Sequence, residues 1–192
     1  MLRREPISPS PILHPHRDLS VLGRALLLVL LLAGAYLATS LAQAAETPSG
    51  LPLPRFATTK SNPINVRVGP GTRYGVAWTY VKAGMPVEII QEFDTWRKVR
   101  DVDGSEGWVH QNLLSGRRAG IAAPWQQGAQ IPLRPSRDSE GVRAYLGPGF
   151  RVDIDKCDGT WCEVKAVAAS TTYQGFLAQS EIWGVYQGEA FD

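Results

Sequence analysis

Hydrophobic positions fall along this chain in two regimes. The first is one block without charge, residues 25–45, which opens Ala25-Leu26-Leu27-Leu28-Val29-Leu30-Leu31-Leu32. The second begins near Thr59 and consists of short runs broken by Gly, Pro and Asp. Within those runs Val87 and Ile89 share one phase, and Trp96, Lys98 and Arg100 another, which is the period of a strand with one buried face. The pattern predicts strands over 65–68, 77–81, 86–91, 96–100 and 107–110, with Asp101-Val102-Asp103-Gly104 as the turn between the last two. No run carries the 3.6-residue period of an amphipathic helix, so the expected class is all-β, built from small barrels.

The strand pattern occurs twice. Gly84, Val87, Ile89 and Trp96 coincide with Gly149, Val152, Ile154 and Trp161 at a shift of 65 residues without a gap. Further on, Gly107-Trp108-Val109-His110-Gln111 matches Gly175-Phe176-Leu177-Ala178-Gln179 at a shift of 68, which places a three-residue insertion in the small-residue run 166–172. Repeats of this length exceed solenoid units and suffice for a small barrel each. The expected organisation is therefore a barrel over 59–117 and a second, degenerate one over 118–192. Residues 45–58, with Pro48, Pro52 and Pro54, read as an extended linker. The connector 117–125 is short, and Trp125 is expected to wedge the barrels into one unit with a composite cleft between them.

The first block has a different role. Arg24 precedes it and Ala42-Gln43-Ala44 ends it, the arrangement of a secretory signal cut after Ala44. Its 21 uncharged residues are also long enough to span a bilayer as a helix, so an uncleaved inner-membrane anchor is the alternative. In either case the basic N-terminus stays inside and the remainder crosses, giving a periplasmic or secreted protein, or one anchored and facing the periplasm.

Charge then narrows the partners. Of the 20 Lys and Arg and 18 Asp and Glu, the first 44 residues hold Arg3, Arg4, Arg17 and Arg24 against Glu5 and Asp18, leaving 16 of each sign. A neutral mature region has no field to draw nucleic acid, and the membrane is met only through the N-terminal segment. Catalytic chemistry is equally thin. His110 is the one histidine beyond the first block, no Gly-x-Ser-x-Gly elbow occurs, and Gly69-Pro70-Gly71 lacks the Lys and helix of a phosphate loop. The expectation is no enzyme, no metal and no cofactor.

Cys157 and Cys162 flank Asp158-Gly159-Thr160-Trp161. A two-residue turn at Gly159-Thr160 makes them the second cross-strand pair, the close kind whose separation suits a disulfide. The equivalent positions one repeat earlier are Glu92 and Arg97, an opposite-charge pair, so both hairpins are clamped by different chemistry.

Taken together, Ile64-Asn65-Val66-Arg67-Val68-Gly69-Pro70-Gly71-Thr72, then Gly84, Trp96, Val99, Gly104 and Gly107-Trp108-Val109, resemble the bacterial SH3-like domain pattern. In the second repeat Ile131-Pro132-Leu133-Arg134 replaces the Asn-Val-Arg strand and Phe176 the second Trp. The resemblance implies an exported protein of proteobacterial type with two tandem SH3-like barrels, binding peptidoglycan or an envelope protein. A regulatory or accessory subunit docking to an inner-membrane complex is the alternative. Ligand-binding candidates are Tyr74, Trp78, Tyr80, Trp96 and Trp108. Tyr74 lies in the long first loop, Trp78 and Tyr80 share one face of a strand, and Trp96, Trp108 and Trp161 recur where large side chains complete a barrel core.

Overall fold

The computed structural model describes residues 47–192, so the signal or anchor segment expected over 1–44 lies outside the described residues. The first half runs β1 (Arg55–Thr59), β2 (Ile64–Arg67), β3 (Val76–Tyr80), β4 (Pro86–Phe93), β5 (Trp96–Arg100), β6 (Glu106–His110) and, after a 3-10 turn at Gln111–Leu113, β7 (Leu114–Ser115). These strands pair antiparallel in the order β3-β2-β6-β5-β4-β1-β7. Their inner face buries Ile64, Val66, Val87, Ile89, Val99, Val109 and Leu114 as one core.

The second half repeats the plan with β8 (Arg118–Ala122), β9 (Ile131–Leu133), β10 (Ala144–Leu146), β11 (Arg151–Asp158), β12 (Trp161–Ala168), β13 (Thr171–Ala178), a 3-10 turn at Gln179–Glu181, β14 (Ile182–Trp183) and β15 (Ala190–Phe191). Its main sheet is ordered β13-β12-β11-β8-β14, and β15 adds to β11. The hairpin of β9 and β10 joins through the bridge from Arg134 to Phe176, which stands where Arg67 faces Trp108 in the first half. A bulge falls between Ile89 and Gln91 and again between Ile154 and Lys156, at the same 65-residue shift. The inserted residues lengthen one hairpin, whose pairing runs on to Ala168 opposite Thr171 with Ala169 at φ 53°.

Cys157 and Cys162 are register partners and form a disulfide with Cα atoms 4.1 Å apart. Glu92 and Arg97 are register partners too, joined by a 3.1 Å ion pair. Asp94 and Gly159 both take positive φ at the turns, 48° and 96°.

Three expectations are corrected. The folded region does not start near Thr59: residues 55–58, assigned to the linker, form β1 together with Thr59, because Phe56, Ala57, Thr58 and Thr59 are buried against β4 and the second half. Before it, Ser49 donates from its amide and hydroxyl to Glu92, tying that stretch down as well. Trp125 is no wedge, being 54 % exposed. Nor do Trp96, Trp108 and Trp161 join the cores, since the buried phase of β5 belongs to Arg97 and Val99 and that of β6 to Gly107 and Val109.

Candidate binding surfaces

Register divides the five aromatic candidates between two faces. Trp78 lies opposite Val66 and Tyr80 opposite Ile64, both partners fully buried, so these two rings face inward and pack on the first core. They meet edge to face with centroids 6.3 Å apart. Trp78 Nε1 and Tyr80 Oη are buried without a hydrogen-bond partner. Burial, helped by the negative charge of Asp101, pushes the Tyr80 hydroxyl up to about 12. They are barrel-completing residues, whereas the sequence left their face open.

Trp96 and Trp108 stand on the outer face. One row crosses three strands, from Arg67 through Trp108 to Lys98, each directly opposite the next. The neighbouring row holds His110, Trp96 and Phe93, the last 57 % exposed. The Trp96 and His110 rings meet edge to face at 5.5 Å. His110 Nδ1 accepts a 3.3 Å hydrogen bond from the Asn112 amide, which fixes the ring at the start of the 3-10 turn. Lys98 pairs with Glu106 at 2.6 Å.

Tyr74 joins this surface through Arg67, whose Nη1 donates to the Tyr74 carbonyl at 2.6 Å. The Tyr74 ring lies flat against the loop; a Cβ on Gly69 would sit 2.5 Å from it, so this close approach requires glycine there. Arg73 stacks over the ring 5.1 Å from its centroid. The result is a half-exposed platform of Tyr74, Arg67, Trp108 and Lys98 beside Trp96 and His110. Arg67, Lys98 and His110 were not among the sequence's binding candidates, though Lys98 shares strand phase with Trp96 and His110 with Trp108, while Arg67 meets Trp108 only across the sheet.

The corresponding platform of the second half is differently furnished. Glu163 stands at the position of Lys98 and pairs with Lys156. Arg137 covers the Phe176 ring at 5.5 Å and is itself held by Asp158 at 3.1 Å. Arg134 lies 5.9 Å over Trp161. Its aromatic faces are therefore already occupied by the chain's own cations.

The two halves pack as one compact unit. Phe56 meets Trp183 edge to face at 5.2 Å and Tyr186 at 4.8 Å. Arg118 packs over Phe56 and Phe191 and pairs with Glu189 at 2.7 Å. Burial pushes the Glu189 carboxyl up, but Arg118 and the Tyr186 amide outweigh it and hold it below the usual carboxylate range. Thr58 Oγ1 donates to the Arg117 carbonyl and Arg151 Nε to the Gly84 carbonyl, which closes the seam at its other end. Phe56, Arg118, Trp183, Tyr186 and Glu189 carried no sequence signal beyond being aromatic or charged.

Among the described residues no group of three or more His, Cys, Asp or Glu side chains converges as a metal site.

The fold and its surfaces can be set beside known proteins. No curated protein matches the sequence. Among solved structures the chain is similar to NlpC2 from Trichomonas vaginalis, at 15 % identity over 68 % of this chain and 48 % of that one, with a TM-score of 0.28. It is similar to NlpC1 from the same organism at 15 % identity over 69 % and 46 %, with a TM-score of 0.29. The chain thus spans about half the length of either structure. The family model of the bacterial SH3 domain matches residues 60–116, which begin just after β1 and end with β7. The first barrel, with its outer aromatic platform, therefore belongs to the bacterial SH3 domain family.

Proposed function

We propose that this protein is a non-catalytic binding protein of the bacterial cell envelope, which recognises peptidoglycan or an envelope protein through the outer platform of its first barrel. The observation that carries the reading is the unbroken row from Tyr74 through Arg67 and Trp108 to Lys98, with Trp96 and His110 alongside. Rigid aromatic faces interleaved with cations offer contact area and hydrogen-bond donors at low entropic cost, the composition of a recognition surface. The second barrel keeps the fold but blocks the equivalent faces with Arg134 and Arg137, so it supports the first and does not duplicate it. The disulfide supports an oxidising compartment. Both cysteines are consumed in it, which leaves no thiolate nucleophile among the described residues.

Incubation with insoluble sacculi, followed by measurement of the protein that pellets, tests the reading. Saturable pelleting that Trp108→Ala and Tyr74→Ala both abolish supports wall recognition by the platform. Protein that stays in the supernatant removes peptidoglycan as ligand and directs the search to envelope proteins by crosslinking from Lys98.

A further inference from the structure

A groove of about 490 Å³ runs along the seam at the end away from Phe56. Thr58, Thr59 and Lys60 line it from the first barrel, with Gly84 from the loop before β4, and Arg117 and Arg151 complete it. No carboxylate lines it, so three cations face one concavity. Arg151 is fixed: its guanidinium is paired with Asp153, and Nε donates to the Gly84 carbonyl. Lys60 and Arg117 are exposed and have no ion-pair partner among the described residues.

The walls are built before any ligand arrives. Gly84 donates to the Thr59 carbonyl at 2.8 Å, and Thr59 donates back to Met85 at 3.0 Å. Gly84 takes φ +76°, and a Cβ there would lie 2.7 Å from Arg151 Nη2. Only glycine lets that guanidinium rest on the loop. The space far exceeds a bare ion and falls in the range of small-ligand sites. Ser115 also lines it, on β7, which ends the strand path of its sheet and so offers an edge to an extended chain.

We propose that this groove captures the C-terminal carboxylate of a short extended peptide, with Lys60 and Arg117 as the counter-charges and Arg151 as a fixed wall. A carboxylate fits the Arg fork and the Lys point charge, and a peptide backbone fits the edge of β7. The site shares no residue with the aromatic platform and stands independently of it.

The test uses the full-length protein, with amide resonances of Gly84 and Ser115 followed during titration with N-acetyl-trialanine, with its C-terminal amide and with inorganic phosphate. The acid should give saturable shifts, with affinity roughly tenfold or more above that of the amide, the value of a charge-assisted hydrogen bond. Lys60→Met with Arg117→Met should abolish them while the remaining spectrum is unchanged, and Trp108→Ala should leave them intact. Absence of a saturable shift overturns the proposal, as does equal affinity for the amide. Phosphate binding as tight as the acid replaces the peptide with a bare anion. Loss in Trp108→Ala moves the peptide to the platform.

Discussion

Tyr186 Oη donates a 2.8 Å hydrogen bond to Glu88 Oε1 across the seam between the barrels, while Arg100 holds Oε2 of the same carboxylate at 2.7 Å. Glu88 sits on the outer face of β4, as the platform residues do on β5 and β6, yet it is only 7 % exposed. The second barrel covers that end of the face and leaves the other open. Burial, and then the hydrogen bond to Glu88, pushes the Tyr186 phenol far above its ordinary value, so it stays a donor at every physiological pH.

The seam should therefore unfold with the barrels as one cooperative unit. Tyr186→Phe keeps the ring on Phe56 and loses one hydrogen bond to a charged group, so about 2 kcal/mol is expected. Phe56→Ala removes the ring that Trp183 and Tyr186 both contact, at a cost of about 3 kcal/mol or more. Calorimetry should show one transition for the parent and two for Phe56→Ala. A single, merely lowered transition in that variant would mean the barrels are coupled elsewhere.

Glu92 makes stability depend on acid. Burial raises its carboxyl, but hydrogen bonds from Arg55 and Ser49 outweigh that and hold it below the ordinary 4.5. A depressed folded value stabilises the fold at neutral pH; the contribution declines as pH falls through 4.5 and is gone below the folded value. Glu92→Gln leaves Arg97 buried without its counter-charge, so about 3 kcal/mol should be lost at pH 7 and less at pH 2. Urea midpoints at the two pH values report the difference. An equal loss at both would show that the effect is packing and not charge.

That same ion pair explains what the sequence concealed. The doubled landmarks Gly84, Trp96 and Gly149, Trp161 were readable because strand period and turn chemistry are local, and the disulfide followed from a two-residue turn. The face of the tryptophans was not readable by hydrophobicity. The inward phase of β5 is Arg97 and Val99, and an arginine can hold a core position because Glu92 neutralises it across the hairpin. By residue type alone, Trp96 looks like the buried member. The seam was hidden for another reason: Phe56 and Tyr186 come from opposite ends of the folded region, inside a proline-rich stretch and an irregular tail, and no periodic pattern links them.

Reduction of the disulfide gives a contrasting measure of the two clamps. Cys157 and Cys162 enclose only four residues, so the loop-entropy gain is less than the ~3 kcal/mol of a 15-residue loop. Both sulfurs remain in a buried cluster with Val164 and Leu177 after reduction. The reduced protein should therefore stay folded at 25 °C with a lower Tm, as read by circular dichroism with and without reductant. Complete unfolding would mean that the second barrel depends on its bridge far more than the first does on its ion pair.

The division of the aromatic residues into two faces can be decided by two variants. Trp78 packs on the first core opposite Val66, so Trp78→Ala should cost about 3 kcal/mol or more. Trp108 lies half-exposed between Arg67 and Lys98, and its removal opens no enclosed cavity. Trp108→Ala should change the urea midpoint by an amount worth about 1 kcal/mol or less. The order reverses for the ligand. Sacculus pelleting should survive Trp78→Ala at a temperature where that variant is folded and fail in Trp108→Ala. If Trp108→Ala unfolds the barrel as readily as Trp78→Ala, the outer tryptophan is structural and the platform loses its central residue. If Trp78→Ala instead abolishes pelleting while folded, the ligand reaches the inner pair, and the buried unpaired Trp78 Nε1 and Tyr80 Oη become its hydrogen-bonding groups.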